Sequence, residues 1–273
     1  KNVRFNFFLF SKSLILHGYL FVFLRSILKT WMNLAVDIGN TKVKVGVFSG
    51  KKMIYQETVV VDGFAALLTG VMDSYTIKEV IMCATGDSKK VVTSIEKVGL
   101  SYTVLSQGTP VPFKNLYDTP QSLGVDRIAL MAGAVLNFPE NNVLVIDAGT
   151  CITYDFKNAQ EEYLGGAISP GVKMRYRAMH EYTHALPMLD IARSESMLAT
   201  NTATAMHAGV FTGVVAEIDR QVNWYRTNYG NVKIVLTGGD AQFLSSSLKN
   251  DIFADSNFLL QGLNYILFFN TNQ

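Results

Sequence analysis

The chain has 273 residues, 49% of them hydrophobic and 17% charged, which describes a globular protein able to bury a sizeable core and long enough to favour two domains or lobes over one. A formal net charge of +2, with no basic stripe interleaved with aromatics, argues against nucleic acid as a partner. Cys83 and Cys151 lie far apart in apolar, strand-like settings without metal-ligand spacing, so they read as buried free thiols of a reducing compartment.

Residues 1–31 differ from the rest. Leu14 to Leu24 is an uncharged, largely apolar run between Lys12 and Arg25, but it is short for a bilayer span, contains His17 and Gly18, and no small-residue cleavage site follows it. The expectation is an atypical extension outside the fold and no membrane partner, with a membrane anchor as the alternative. Met32 then stands directly before an apolar run, Asn33 to Val36, and the alternating segment Val43 to Phe48 follows. Between them Asp37-Ile38-Gly39-Asn40-Thr41-Lys42 reads as a tight turn joining two strands, with a carboxylate at the end of the first. Such a corner offers backbone N–H groups, an amide, a hydroxyl and lysine to a polyphosphate, while Asp37 can hold Mg²⁺ directly or through water. Taken alone, it is equally an ordinary hairpin.

The pattern continues with a third strand over Lys52 to Val61, a helix from Asp62-Gly63 to Tyr75, and a buried strand at Val80 to Cys83. A helix capped by Asp87 runs to about Val98, and a short strand covers Tyr102 to Leu105. Gln107 to Arg127 is a long segment of loop chemistry with Pro110, Pro112, Pro120 and Gly124, and it carries Tyr117 towards an apolar helix over Arg127 to Leu136. An acid at that helix entry, Asp126, lies in the favourable field of the N-terminus and can accept a hydrogen bond from a substrate hydroxyl. The competing reading makes Asp126 a helix cap and Arg127 a solvated charge.

About a hundred residues after the first corner the pattern returns: Val143 to Ile146 leads into Asp147-Ala148-Gly149-Thr150 and a second alternating strand to Phe156. Tyr163 to Gly171, with glycine pairs around Ser169-Pro170, suits a turn of close backbone approach. A helix over Val172 to Ala185 follows, and then a long one, capped by Thr200-Asn201-Thr202, to about Tyr225. Val232 to Leu236 ends in Thr237-Gly238-Gly239-Asp240, ahead of helices near Gln242 to Leu248 and Asn257 to Phe268. His180, His184 and His207 form no metal constellation. A duplicated Asp-x-Gly-x-Thr hairpin predicts an α/β chain of two similar half-domains with mixed sheets, 32–138 and 139–273, whose phosphate corners face each other across a cleft. The late Gly-Gly turn is then free to approach a nucleotide base or ribose.

With Asp37 to Lys44, Tyr117, Leu123-Gly-Val-Asp-Arg127, Asp147 to Thr150, Gly165-Gly-Ala-Ile-Ser-Pro-Gly171, Asn201-Thr202 and Thr237 to Asp240 in this order, the chain from Met32 onward resembles the type III pantothenate kinases, of the acetate-kinase, sugar-kinase, Hsp70 and actin superfamily. The resemblance implies a ribonuclease H-like, actin-like ATPase arrangement and transfer of the γ-phosphoryl group of ATP to the primary hydroxyl of pantothenate, giving 4′-phosphopantothenate on the way to coenzyme A. It implies that Asp37, Ile38, Gly39, Asn40, Thr41, Lys42, Val43, Lys44 and Thr150 bind ATP, and that Asp126 is the proton acceptor. Tyr117, Gly124, Val125, Asp126, Arg127 and Thr202 would surround pantothenate. Asp147 would bind a monovalent cation, K⁺ or NH₄⁺, beside the Mg²⁺ of Asp37. A cytoplasmic homodimer is implied as well. The rival readings are a superfamily kinase for another small alcohol or sugar, and a non-catalytic transcription accessory factor.

Overall fold

The computed structural model describes residues 31–271; the apolar run Leu14 to Leu24 lies outside them. Alternating apolar residues form an antiparallel meander of β1 (Met32–Ile38), β2 (Lys42–Ser49) and β3 (Lys52–Val60), and β4 (Ile77–Ala84) and β5 (Ser101–Val104) extend it in parallel from β1. The helices α1 (Phe64–Ser74) and α2 (Lys89–Lys97) make the connections. After the short β6 (Lys114–Asn115) and α3 (Val125–Asn137), the meander is rebuilt by β7 (Asn142–Ala148), β8 (Cys151–Lys157) and β9 (Glu162–Pro170). Next come α4 (Val172–Glu181), α5 (Thr202–Tyr229), β10 (Val232–Thr237), α6 (Ala241–Ser245), β11 (Phe253–Ala254) and α7 (Phe258–Thr271). The strand orders β3-β2-β1-β4-β5 and β9-β8-β7-β10-β11 are the same, and β6 adds an edge to the second sheet.

The strand period of two sorts the side chains into three cores. Leu34, Val36 and Ile38 of β1 face α1 and α2, while Leu144, Ile146 and Ala148 of β7 face the outer layer of α4, α5 and α6. The opposite faces, with Ala35, Ile81, Val143, Val145 and Val235, close on α3 and α7 between the sheets. Counting on by two from Ala35 and Val145 puts Asp37 and Asp147 on these inner faces, at the ends of their strands. Both carboxylates are thereby directed to the start of α3.

Several boundaries differ from the sequence expectation for identifiable reasons. Tyr163 to Gly171 is not a turn: all but the last residue belong to β9, because the glycines serve close strand packing rather than chain reversal. A Cβ on Gly166 would lie 1.6 Å from the Tyr154 carbonyl oxygen on β8. The first long helix begins only at Phe64, after a 3₁₀ turn at Val61–Gly63. Asp87 precedes α2 and accepts the Lys89 N–H at 3.0 Å. The long helix runs past Tyr225 to Tyr229, where Gly230 at φ 74° ends it. β6 falls in the segment read as loop and β11 in a stretch assigned no element, since two-residue bridges carry no periodicity.

Candidate active site

Both corners are hairpins closed by one backbone bond, Gly39 N–H to the Lys42 carbonyl at 3.0 Å and Gly149 N–H to the Cys151 carbonyl at 2.9 Å. The register exposes their difference. Asp37 stands opposite Lys44, whereas Asp147 stands opposite Thr153, so the duplicate corner is one residue shorter and lacks the lysine. A glycine backs each corner, Gly86 beneath the first and Gly171 beneath the second. A Cβ on Gly86 would sit 2.6 Å from the Gly39 oxygen, and one on Gly171 2.2 Å from the Gly149 oxygen. Gly171 belongs to the quoted motifs, but Gly86 was missed; its signal is the Thr85-Gly86-Asp87 break between an apolar strand and a helix.

Two clefts meet at the corners. The larger, about 1130 Å³, is lined by Gly39, Asn40, Thr41, Lys42, Gly149, Thr150 and the first turns of α4, with Lys173, Arg175 and Arg177. The smaller, about 550 Å³, is lined by Asp37, Lys44, Asp147, the Thr237-Gly238-Gly239 turn and Asp255. Gly239 and Lys42 line both. The basic residues of α4 went unnoticed in the sequence because residues spaced i, i+2, i+4 share no single helix face and so form no basic stripe. Gly238, at φ 94°, packs against Asp147 rather than standing free, while Gly239 meets open space. Ile38 and Val43 are wholly buried in the outer core, so their share in a phosphate corner is confined to the main chain. Lys44 Nζ donates to the Ser256 carbonyl, linking β2 to the segment before α7.

Asp126 is the second residue of α3, not its cap; Gly124 holds that position, and the Asp126 carboxylate accepts the Arg127 N–H at 2.8 Å. Three carboxylates then act on one another. Burial first, and Asp126 second, push Asp37 up to about 6. Burial, then Asp126 and Asp37, push Asp147 up to about 7. Lys44 opposes both shifts, and burial draws its own ammonium downward. The site is therefore short of positive charge. Among the described residues no group of three or more His, Cys, Asp or Glu is placed to hold a metal by itself. This donor set suits a cation that takes one carboxylate together with phosphate oxygens and water, the usual manner of Mg²⁺.

Behind Asp126, Arg127 is buried and donates its Nε–H to Asp155 at 2.7 Å. Tyr117 stacks on Tyr163 with centroids 5.9 Å apart and lies 5.5 Å from the guanidinium carbon of Arg127. Gly124, Val125, Asp126, Arg127 and Tyr117 thus form one neighbourhood. Thr202 opens α5 on the exposed surface and lines neither cleft.

Two sheets of one topology, joined through α3 and α7 and presenting paired Asp-Gly-Thr corners, define an α/β chain of the ribonuclease H-like, actin-like ATPase class. Solved structures agree on the fold. A Baf family protein from Campylobacter jejuni, described as a transcriptional activator, superposes with TM-score 0.59 at 23% identity, covering 88% of this chain and 100% of its own. A ROK family glucokinase from Streptomyces griseus, in complex with glucose and AMPPNP, gives 0.50 at 12% identity, covering 89% of this chain and 100% of its own. The family model for type III pantothenate kinase matches residues 33–224. The type III pantothenate kinase of Flavobacterium johnsoniae is 44% identical over 234 residues, covering 85% of this chain and 96% of its own. The chain belongs to the type III pantothenate kinase family.

Proposed function

We propose that this protein is the kinase its family name describes, transferring the γ-phosphoryl group of ATP to pantothenate and so opening the route to coenzyme A. The observation that carries the reading is the convergence of Asp37, Asp126 and Asp147 at two glycine-backed corners. Phosphoryl transfer needs positioning and charge neutralisation more than a strong base. In this reading the main-chain N–H groups of Gly39 to Lys42 and of Gly149-Thr150 receive the phosphates, with the Asn40 amide, the Thr41 hydroxyl and the ammonium groups of Lys42 and Lys44 beside them. Asp126 accepts the proton of the attacking hydroxyl. Tyr117, Arg127 and the backbone at Gly124-Val125 hold pantothenate, with Thr202 as a further contact.

Asp37 would hold Mg²⁺ through phosphate oxygens or water, and Asp147 would hold K⁺ or NH₄⁺; the cations supply the positive charge that three adjacent carboxylates and a polyphosphate require. The missing lysine of the second corner supports the second assignment. A homodimer in the cytoplasm completes the reading. A hexose kinase or a non-catalytic accessory factor is not favoured, the second because Asp37, Asp126, Arg127 and Asp147 are all present.

A coupled assay of the purified protein with ATP, pantothenate and Mg²⁺, run in K⁺, NH₄⁺ or Na⁺ buffer, tests this directly. The expected result is 4′-phosphopantothenate formation that depends on K⁺ or NH₄⁺, with the activation lost in Asp147→Ala. Phosphorylation of a hexose and not of pantothenate would overturn the substrate. Full activity with Na⁺ and Mg²⁺ alone would overturn the role of Asp147.

A further inference from the structure

The strongest unassigned feature is the buried group behind Arg127. Asp155, on the inner face of β8, is wholly inaccessible. Its Oδ1 accepts hydrogen bonds from Arg127 Nε and from the Tyr163 hydroxyl, each at 2.7 Å, and its Oδ2 accepts one from Thr153 Oγ1 at 3.0 Å. Burial pushes the Asp155 carboxyl up, while Arg127, Tyr163 and Thr153 all draw it back down. The Arg127 guanidinium is further bounded by the rings of Tyr117 and Tyr163, at 5.5 and 6.0 Å from its carbon. Tyr117 is also a hydrogen-bond partner of the guanidinium, and one nitrogen is left over. Arg127 Nη2 is buried and has no hydrogen-bond partner.

A buried ion pair is weak evidence of a stability role, because an apolar pair of similar volume often serves folding as well or better. A buried donor left unpaired beside a carboxylate that accepts three hydrogen bonds calls for a separate explanation. A bound ligand that brings an acceptor provides one. The arrangement is also built in depth: Asp155 stands in register with Gly166, and only glycine lets β9 approach β8 closely enough there for Tyr163 to reach the carboxylate. Arg127 follows Asp126 directly in the chain, so whatever orients the guanidinium sets one donor at a fixed offset from the proposed proton acceptor.

We propose that Asp155, assisted by Tyr163, is a positioning residue for the phosphoryl acceptor: it holds Arg127 by Nε so that the free Nη2 donates to an acceptor oxygen of pantothenate while Asp126 receives the hydroxyl. Because Asp155 cancels the charge of Arg127, the pair supplies a directed donor rather than a net positive field. This inference rests on the reading of Arg127 as a substrate-binding residue, and the test separates the two.

Steady-state kcat and KM for pantothenate and for ATP are measured on the full chain for Asp155→Asn, Tyr163→Phe and Arg127→Ala, with circular dichroism and thermal melts as a check on folding. The expected result is a pantothenate KM raised about tenfold or more in Asp155→Asn and by a smaller factor in Tyr163→Phe, with the KM for ATP within about twofold of wild type in both. If Arg127→Ala raises the pantothenate KM and Asp155→Asn does not, the positioning role fails while the substrate contact stands. If Arg127→Ala leaves it unchanged, the substrate contact itself fails. A parallel rise in both KM values would mark Asp155 as structural and overturn the proposal. Should Asp155→Asn not fold, Tyr163→Phe decides, since it removes a single hydroxyl: an unchanged pantothenate KM there counts against the proposal.

Discussion

Asp126 keeps its carboxylate at the first turn of α3, where the unpaired N–H groups of the helix favour negative charge, and one of those groups, Arg127 N–H, is its partner. Asp126→Asn preserves the shape and that bond but cannot take a proton, so turnover is expected to fall by about 10² to 10⁴ with ATP binding retained. Near wild-type turnover would reduce the residue to a helix-end contact. Asp147 allows a prediction of the opposite kind. Its carboxyl, held up to about 7 mainly by burial, is an ordinary carboxylic acid in the unfolded chain. Between about pH 4 and pH 7 the native state therefore binds more protons than the unfolded state, so the contribution of Asp147 to stability declines as pH rises through that window and is flat above it. Asp147→Asn removes the penalty. In cation-free buffer it is expected to raise the melting temperature by a few degrees at pH 8 and by much less at pH 5; equal gains at both values would contradict the pH dependence.

The elements that matter most are the two hairpins and what lies beneath them. Gly86, in the β4 to α2 connection, and Gly171, at the cap of α4, each touch the backbone of a corner so closely that a methyl group has no space. The neighbour is main chain, which cannot rotate out of the way. Gly86→Ala is expected to displace the Gly39-Asn40 corner and raise the KM for ATP several-fold more than that for pantothenate. Gly70→Ala in α1 is the control, because nothing lies within 4 Å of its built Cβ and helix propensity then favours alanine by up to ~1 kcal/mol. Equal kinetic effects from both substitutions would show that the corner is not held from below. Among the helices, the apolar stripe Val210, Val214, Ile218 and Val222 of α5, which by spacing alone could serve an interface or its own core, is buried against the second sheet of its own chain. A helix lying on a sheet must bury such a stripe, so periodicity alone could not assign it to an interface.

At the scale of the molecule, the C-terminal helix α7 returns to pack between the sheets beside α3, so the last residues complete the core under the first hairpin. Asn264 of α7 accepts a hydrogen bond from Asn33 at 3.1 Å and donates to the Gly50 carbonyl at 2.9 Å. No helix among the described residues is long and apolar enough to cross a membrane. Apolar side chains nevertheless remain exposed on β9 and in the segment before α5, with Ile168 at 63%, Met197 at 85% and Leu198 at 84%. Such a surface fits the proposed two-fold pairing. Light scattering at micromolar concentration is expected to give twice the chain mass, and an active monomer would rule the pairing out. Removal of residues 1–31 is expected to leave solubility and activity intact, because every motif of the site begins after Met32; loss of either on deletion would show that the segment belongs to the working protein.

Composition, strand alternation and the repeated Asp-x-Gly-x-Thr corner were sufficient to predict an α/β chain built on a duplication, since period-two patterning and turn chemistry are local properties written in consecutive residues. Asp37, Asp126 and Asp147 were identifiable as candidates for the same reason: each stands at the end of a legible strand or the entry of a legible helix. What the sequence left open depends on contacts between distant segments. The role of Gly165-Gly166 was misread as a turn because only the neighbouring strand reveals the lack of space for a side chain. Gly86 stood in a visible break between strand and helix, but its need to be glycine showed only once its carbonyl neighbour was known. Asp155 looked like an ordinary member of an alternating strand and Tyr163 like the start of a turn, and their linkage to Arg127 exists only because β8, β9 and the start of α3 meet in the core. The mutual repulsion of three carboxylates likewise appears only when two sheets and a helix bring them together, for electrostatic energy depends on separation in space and on burial, and neither is encoded by spacing along the chain.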